Sequence, residues 1–472
     1  MAAIELASEW GETAAAVGAK SHPRRVGYLL NFSIFLTLLI IVASAMVPYG
    51  TWELRWEIGF TTLIFCLAGL RLLEGLLSDN CRISSFGLIV PLLLLCGFCL
   101  LQTLSSSISG QQSANFAGNL WWAISADPYE SRRFALKLLA LVLGGEMLTR
   151  YTSSSARLRV FAYAVIAVGV VSGLAALFQA VPKFELSLTS VSVRRLWQFG
   201  NLNHFSLLLE MIFGVLLGLI AGAGIRRDHL LIYGSMTLIV WATIPLTTSR
   251  GGIVTMFCVL LFVAAFSSGV RSRSKQNGFG RRASIRHVGQ SWMIRSVLLA
   301  SLLIVVAIGV VKVGGDPMVS KLDKIPGELN PSSQRNSSRL NFWRATWQLI
   351  KDHPLAGSGF GAYWIAISPY YDSAGHVVPY QAHNDYLELL ASGGIIGTLL
   401  VVWFVIVLVK RAREQLRSPD RFRRAVCFGA LAGLFAAAVH SAFDFGLHNN
   451  VNALVFMSLV VLATSNVPWD SK

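Results

Sequence analysis

Apolar runs of about 20 residues recur from residue 27 almost to the end of the chain, and no other feature limits its fold so strongly. A bilayer core about 30 Å thick is crossed by roughly 20 helical residues. Twelve spans are expected, near 27–48, 57–75, 86–104, 133–149, 159–180, 204–223, 230–247, 250–269, 294–313, 384–409, 425–442 and 449–466. Strands are rejected because the runs are too long and do not alternate; helices satisfy their own backbone groups in lipid. The expected fold class is therefore all-α, a polytopic membrane bundle. Composition agrees: 14% of the 472 residues are charged, where soluble chains carry about 25%. The 41 glycines and 14 prolines follow no period, which excludes a collagen-like repeat.

A net charge of +16 raises the question of nucleic acid, but the positions of the basic residues answer it. With the N-terminus inside, Lys20, Arg24, Arg25, Arg71, Arg82, Arg150, Arg157, Arg159, Arg226 and Arg227 all fall on one side. Two dense clusters, RSRSKQNGFGRR with Arg286 and Arg295, and KRAREQLRSPDRFRR at 410–424, fall there too. This is the bias of cytoplasmic loops, so no nucleic-acid partner is expected. Residues 1–26 read as a cytoplasmic tail without the apolar core of a cleavable signal. The six cysteines, Cys66, Cys81, Cys96, Cys99, Cys258 and Cys427, lie in spans or on the inner side, and no disulfide framework is implied. Cys96 and Cys99 form a CxxC within LLLLCGFCLL, where packing is the expected role.

The organisation that follows is a tail over 1–26, nine spans over 27–313, a long outer loop over 314–382, and three spans with a short cytoplasmic tail over 383–472. So long a loop in a tightly connected bundle is functional or partly folded. Within it, SSRLNFWRATWQLIKDHP reads as an amphipathic helix with Leu340, Phe342, Trp343, Trp347 and Leu349 on its apolar side and Pro354 as its stop. On the outer side Arg194, Arg195, Arg250, Arg335, Arg339 and Arg344 break the charge bias. Snorkelling at the interface would account for any one of them. Several together, with few acids beside them, point to an anionic ligand, since the guanidinium fork suits phosphate. Arg250 opens a span in TTSRGGIV, where a charge costs roughly 2.5–3.5 kcal/mol if it reaches mid-bilayer.

At the outer start of the tenth span lies QAHNDYLELLASGGIIG. His383 has the proton affinity of a base near neutral pH. Asn384 and Asp385 are helix-cap residues, and Glu388 follows one turn on. A histidine at a helix start is often only a satisfied polar group. A base beside arginines, however, is what transfer from a pyrophosphate-linked donor requires: the base takes the acceptor's proton and the cations stabilise the leaving group.

Several stretches resemble the O-antigen ligase and polymerase superfamily of bacterial envelope glycosyltransferases. TTSRGG is similar to that family's Ser-Arg and small residues at the outer start of a span. SRLNFWRATWQLIKDHPLAGSGFGAY resembles its Arg, Trp, Pro-x-x-Gly-x-Gly-x-Gly loop pattern, and AHNDYLELLASGGIIG is the most specific match. RRLWQFGNLNHFSLLLE and HSAFDFGLHNNVNALVF resemble further family segments, the latter from a branch found with exopolysaccharide genes. The resemblance implies a GT-C-like fold in the bacterial inner membrane and an undecaprenyl-pyrophosphate-linked glycan donor. The acceptor it implies is a saccharide or lipid A-core, reached on the periplasmic side, with inversion and without metal or cofactor. It places Arg250 and Arg339 on the pyrophosphate and His383 as the base. Arg344, Arg194 and Arg195 are further pyrophosphate candidates, and Asn384, Tyr386 and Glu388 support the histidine.

No D-x-D and no G-x-x-x-x-G-K-[ST] occurs. His440 and His448 flank Asp444 at a spacing that suits a helix end better than a metal. Glu146 and Glu210 fall inside spans, either as partners of an arginine on a neighbouring span or as lining of the cleft. A rival reading is a lipid-linked glycan flippase or transporter, but no internal repeat relates the two halves. A structural assembly scaffold is the third reading.

Overall fold

The computed structural model describes residues 22–44, 54–77, 86–104, 125–180, 201–275, 339–371 and 379–465. Among them every regular element is helical. In chain order these are α1 (His22–Ser44), α2 (Leu54–Leu77), α3 (Phe86–Leu101), α4 (Pro128–Tyr151), α5 (Ser155–Ala180), α6 (Leu202–Ala221), α7 (Leu230–Leu246) and α8 (Arg250–Lys275). Then follow α9 (Arg339–Asp352), α10 (Tyr363–Ala366), α11 (Asp385–Gln415), α12 (Arg421–His440) and α13 (Asn450–Thr464). The expected span at 294–313 lies outside the described residues, as do Arg194, Arg195, Arg335 and Cys81.

The chain is a multi-pass membrane protein, and among the described residues length and apolarity mark part of the twelve expected spans. Seven described helices, α2, α5, α6, α7, α8, α11 and α12, are long and apolar enough to cross, and α1, α3 and α13 contain shorter apolar stretches. The expected fourth span corresponds to α4, which meets neither description, because Glu130, Arg132, Arg133, Lys137, Glu146 and Arg150 interrupt its apolar residues.

The interior is built on α6 and α12, whose apolar windows are 83% and 78% buried, against 17% for α7. They cross closely because each presents glycines: a Cβ placed on Gly218 would strike the backbone of Gly429, and one on Gly214 the backbone of Gly433. Leu, Met and Phe side chains of α6 fill the surrounding core.

The loop that precedes α11 is not an appendage. Its helix α9 buries Phe342, Ala345, Thr346, Leu349 and Ile350, a 3.6-residue stripe packed with Tyr363, Ile367 and Ala391. Trp343 sits at the edge of that stripe and donates its indole N–H to the Ala382 carbonyl at 3.1 Å. Trp347, expected on the apolar side, is instead 49% exposed, because its phase rotates it past the buried arc. The helix ends at Asp352, and the next segment runs into a break in α11.

That break is at Gly394, where φ is +57° and ψ is −160° within an otherwise helical run. The helical bonds lost there are replaced from the loop. Ile395 N–H donates to Pro354 O at 2.9 Å and Ile396 N–H to Leu355 O at 3.1 Å, while Ser358 and Gly359 N–H donate to Ala391 O and Ser392 O at 2.9 and 3.0 Å. Gln102, after α3, closes the junction by donating to Ala356 O at 2.6 Å and to Ser392 O at 2.9 Å. Non-helical backbone at membrane depth is tolerated where protein satisfies it in this way. A Cβ on Gly394 would collide with the Leu355 carbonyl and adopt an unfavourable φ. Gly394→Ala is therefore expected to destabilise the protein by about 1–3 kcal/mol, read as a lower melting temperature in detergent.

Among the described cysteines, Cys96, Cys99, Cys258 and Cys427 are buried free thiols that pack in the interior, and Cys66 is an exposed one.

Candidate active site

Three segments far apart in sequence meet at the turn between α12 and α13. The N-terminus of α11 is lashed to the end of α12 by consecutive residues. Asn384 caps α11, its Oδ1 accepting from the N–H groups of Tyr386 and Leu387 at 3.0 and 3.1 Å, while its Nδ2 donates to Ala442 O at 3.2 Å. Asp385 accepts from Ser441 Oγ at 2.7 Å, and the Tyr386 hydroxyl donates to Ala438 O at 2.5 Å. His383 stands just before this cap with a φ of +51°. Left-handed backbone is uncommon for a residue with a Cβ and is sustained only where its surroundings hold it.

The His383 ring lies between Phe342, stacked at 6.1 Å, and Phe445, edge-on at 4.8 Å. Its Nδ1 is 3.0 Å from Asp444 Oδ1. Asp444 is buried, and it also accepts from Asn203 Nδ2 and from the Phe445 N–H at 3.0 Å. Burial acts to raise its carboxyl, but the hydrogen bond and charge of His383, with the charges of Arg339 and His204 beyond, hold it well below the usual carboxylate range. Asp444 is thus an anion at neutral pH. It accepts Nδ1–H from His383 and leaves Nε2 as the basic nitrogen.

Arg339, half-buried at the start of α9, is near enough for its charge to act on Asp444. Arg250 is exposed at the first position of α8, and the next residue packs against the same turn, since a Cβ on Gly251 would stand 3.1 Å from Phe443 Cβ. His383, Arg339 and the Arg250 end of α8 therefore converge around Phe443, Asp444 and Phe445. Arg344 lies farther along α9 and is exposed.

Glu388 turns elsewhere. It accepts the Ala382 N–H at 2.9 Å and faces His448 Nε2 at 3.3 Å. With Asp385, Lys137 and His448 it lines a separate cavity of about 280 Å³ whose other walls include Leu92, Leu141, Phe404 and Met457. Phe445 separates the two places, its ring 6.1 Å from His448 and 4.8 Å from His383. His440 and His448 do not come together: His440 Nδ1 pairs with Glu210 at 2.9 Å. Glu210, read from the sequence as either an arginine's partner or cleft lining, thus pairs with a histidine, and Glu146 lines a small crevice with Leu88, Thr149 and Phe404.

Sequence reasoning missed Asp444 as the partner of His383, and Asn203 behind it. The signal was a carboxylate in FDFGLHNN at the end of a span, but its partner lies 61 residues away.

Residues 235–402 match the family model described as O-antigen ligase, Wzy_C. That stretch contains Arg250, Arg339, Arg344 and His383 but ends before Asp444 and begins after Asn203 and Glu210. No curated protein matches the chain. With its helical membrane bundle and this match over the segments that carry the arginines and the histidine, the chain contains a Wzy_C O-antigen ligase domain at residues 235–402.

Proposed function

We propose that the protein transfers a glycan from an undecaprenyl-pyrophosphate-linked donor to a sugar acceptor, as a ligase or polymerase of O-antigen or exopolysaccharide synthesis. The reaction faces the periplasm of the bacterial inner membrane, on the side opposite the dense basic loops. The observation that carries this reading is the contact of His383 with a buried carboxylate, beside Arg339 and the Arg250 end of α8. His383 Nε2 takes the acceptor hydroxyl proton as that oxygen attacks the anomeric carbon. The bond from that carbon to the pyrophosphate oxygen breaks, and the electron pair leaves with the diphosphate. Arg250 and Arg339 hold the developing charge. Attack opposite the leaving group inverts the anomeric centre. The tail resemblance to exopolysaccharide-associated proteins favours a polymerase. A flippase has no use for an imidazole hydrogen-bonded to a buried carboxylate beside arginines.

The test is transfer by the purified protein from a defined polyprenyl-pyrophosphate glycan to candidate acceptors. Arg339→Ala and Arg250→Ala are each expected to lower the rate about 10²–10³-fold, with Arg339→Lys recovering part of it. Rates unchanged in both alanine variants, or donor translocated across proteoliposomes without transfer, sink the proposal.

A further inference from the structure

Beyond the reacting groups, α6 carries a buried polar face that the chemistry above leaves unused. Asn203, Ser206 and Glu210 recur at intervals of three and four along one side of a helix otherwise rich in Leu, Ile, Met and Phe. Glu210 and Ser206 are fully buried. A carboxylate inside a membrane bundle is costly unless partnered, and such groups mark functional places by default.

The partners of Glu210 connect both halves of the candidate site. Ser206 Oγ donates to Glu210 Oε1 at 2.7 Å, and His440 Nδ1 lies 2.9 Å from Oε2. His440 is the last residue of α12, and its carbonyl accepts from Phe443 N–H at 2.8 Å and Asp444 N–H at 3.1 Å. Fixing His440 therefore fixes the turn that presents Asp444 to His383, and Asn203 on the same face of α6 holds Asp444 directly. In the other direction the face meets the first turn of α8. A Cβ on Gly252 would stand 2.7 Å from Glu210 Oε1 and would collide with Ser206 Oγ, so the glycine lets the first turn of α8 seat directly on these side chains, two residues after Arg250. The other titratable groups around the frame are Asp444, Asp385, His204 and, on α8, Cys258.

We infer that Glu210 and His440, with Ser206 and Asn203, form a positioning frame that sets the His383–Asp444 pair against the Arg250 end of α8. They act through these groups and touch no substrate. The inference rests on the glycan-transfer reading.

The experiment uses the full-length protein in nanodiscs with a defined polyprenyl-pyrophosphate glycan donor, measuring kcat and donor KM against pH. Glu210→Ala and His440→Asn are expected to cost about 100-fold in kcat/KM, the scale of an ångström-sized misplacement. The acidic limb of the pH profile should move in these variants, because the turn that presents Asp444 to the site is no longer held in place. Glu210→Gln keeps both hydrogen bonds and should recover most of the rate. Gly252→Ala displaces α8 instead, and should raise donor KM about tenfold with the acidic limb in place. Folded Glu210→Ala and His440→Asn proteins with the wild-type limb overturn the inference, as does a Glu210→Gln protein no better than Glu210→Ala. If Glu210→Ala does not fold, an unmoved limb in His440→Asn and an unmoved KM in Gly252→Ala overturn it. A wild-type protein that transfers nothing overturns the glycan-transfer reading and this inference together, an outcome distinct from those in which only the frame variants disagree.

Discussion

His383→Ala is expected to lower the rate of glycan transfer about 10²–10⁴-fold, the usual contribution of a positioned general base. The donor KM should change little, because the groups proposed to hold the diphosphate are Arg250 and Arg339, on other helices. The measurement is initial-rate transfer from a defined lipid-linked donor, with donor binding followed separately. A protein lacking the imidazole that still transfers at the wild-type rate would remove the base from the mechanism, and with it the reason for the buried carboxylate. His383→Gln is the useful companion. It fills the space between Phe342 and Phe445 without a titrating nitrogen, so a loss equal to that of alanine assigns the effect to proton transfer rather than packing.

Asp444→Asn should come close to the same loss although it changes only one atom type. The carboxylate accepts Nδ1–H and so keeps Nε2 available for a proton. An amide that turns its NH₂ toward Nδ1 favours the opposite tautomer, and such a change can reduce the rate by as much as about 10⁴-fold. It should also change how stability depends on pH. Because the folded-state carboxyl is held below its ordinary value, the stability it lends is fully present above the unfolded value and is lost as pH falls through the folded one. Melting temperatures of the wild type should therefore drop in strong acid more steeply than those of Asp444→Asn. Parallel acid arms in the two proteins would count against the ion pair.

Much of the architecture was legible from short-range pattern. Apolar run length located the described long helices, and the 3.6-residue stripe with Pro354 located α9, since both signals are local in the chain. The exposed Trp347 shows the limit of that pattern, because a bulky apolar residue at the edge of a stripe can rotate out of it. The break in α11 was hidden for a different reason. ASGGIIG inside an apolar run is also compatible with an unbroken span, and the partners that make the break affordable come from residues 354–359. Of the candidate site, His383, Arg250 and Arg339 could be singled out because each residue type is out of place in its surroundings. Asp444, Asn203 and His440 could not, and Glu210 stood out only as a charge inside a span, since their meaning lies in pairings across tens or hundreds of residues. Glu388, grouped with His383 by nearness in sequence, faces His448 instead, because His383 stands before the helix with a left-handed φ while Glu388 shares a face of α11 with Asp385, one turn earlier.

The splice between the loop after α9 and the interrupted helix α11 constrains how this protein can move. Residues 354–359 supply backbone bonds that the helix cannot make for itself, so this strip cannot lift away as a flap without leaving amides and carbonyls unsatisfied. Any gating that admits a bulky polymer must bend the molecule at some other joint, with this seam travelling as a single rigid plate.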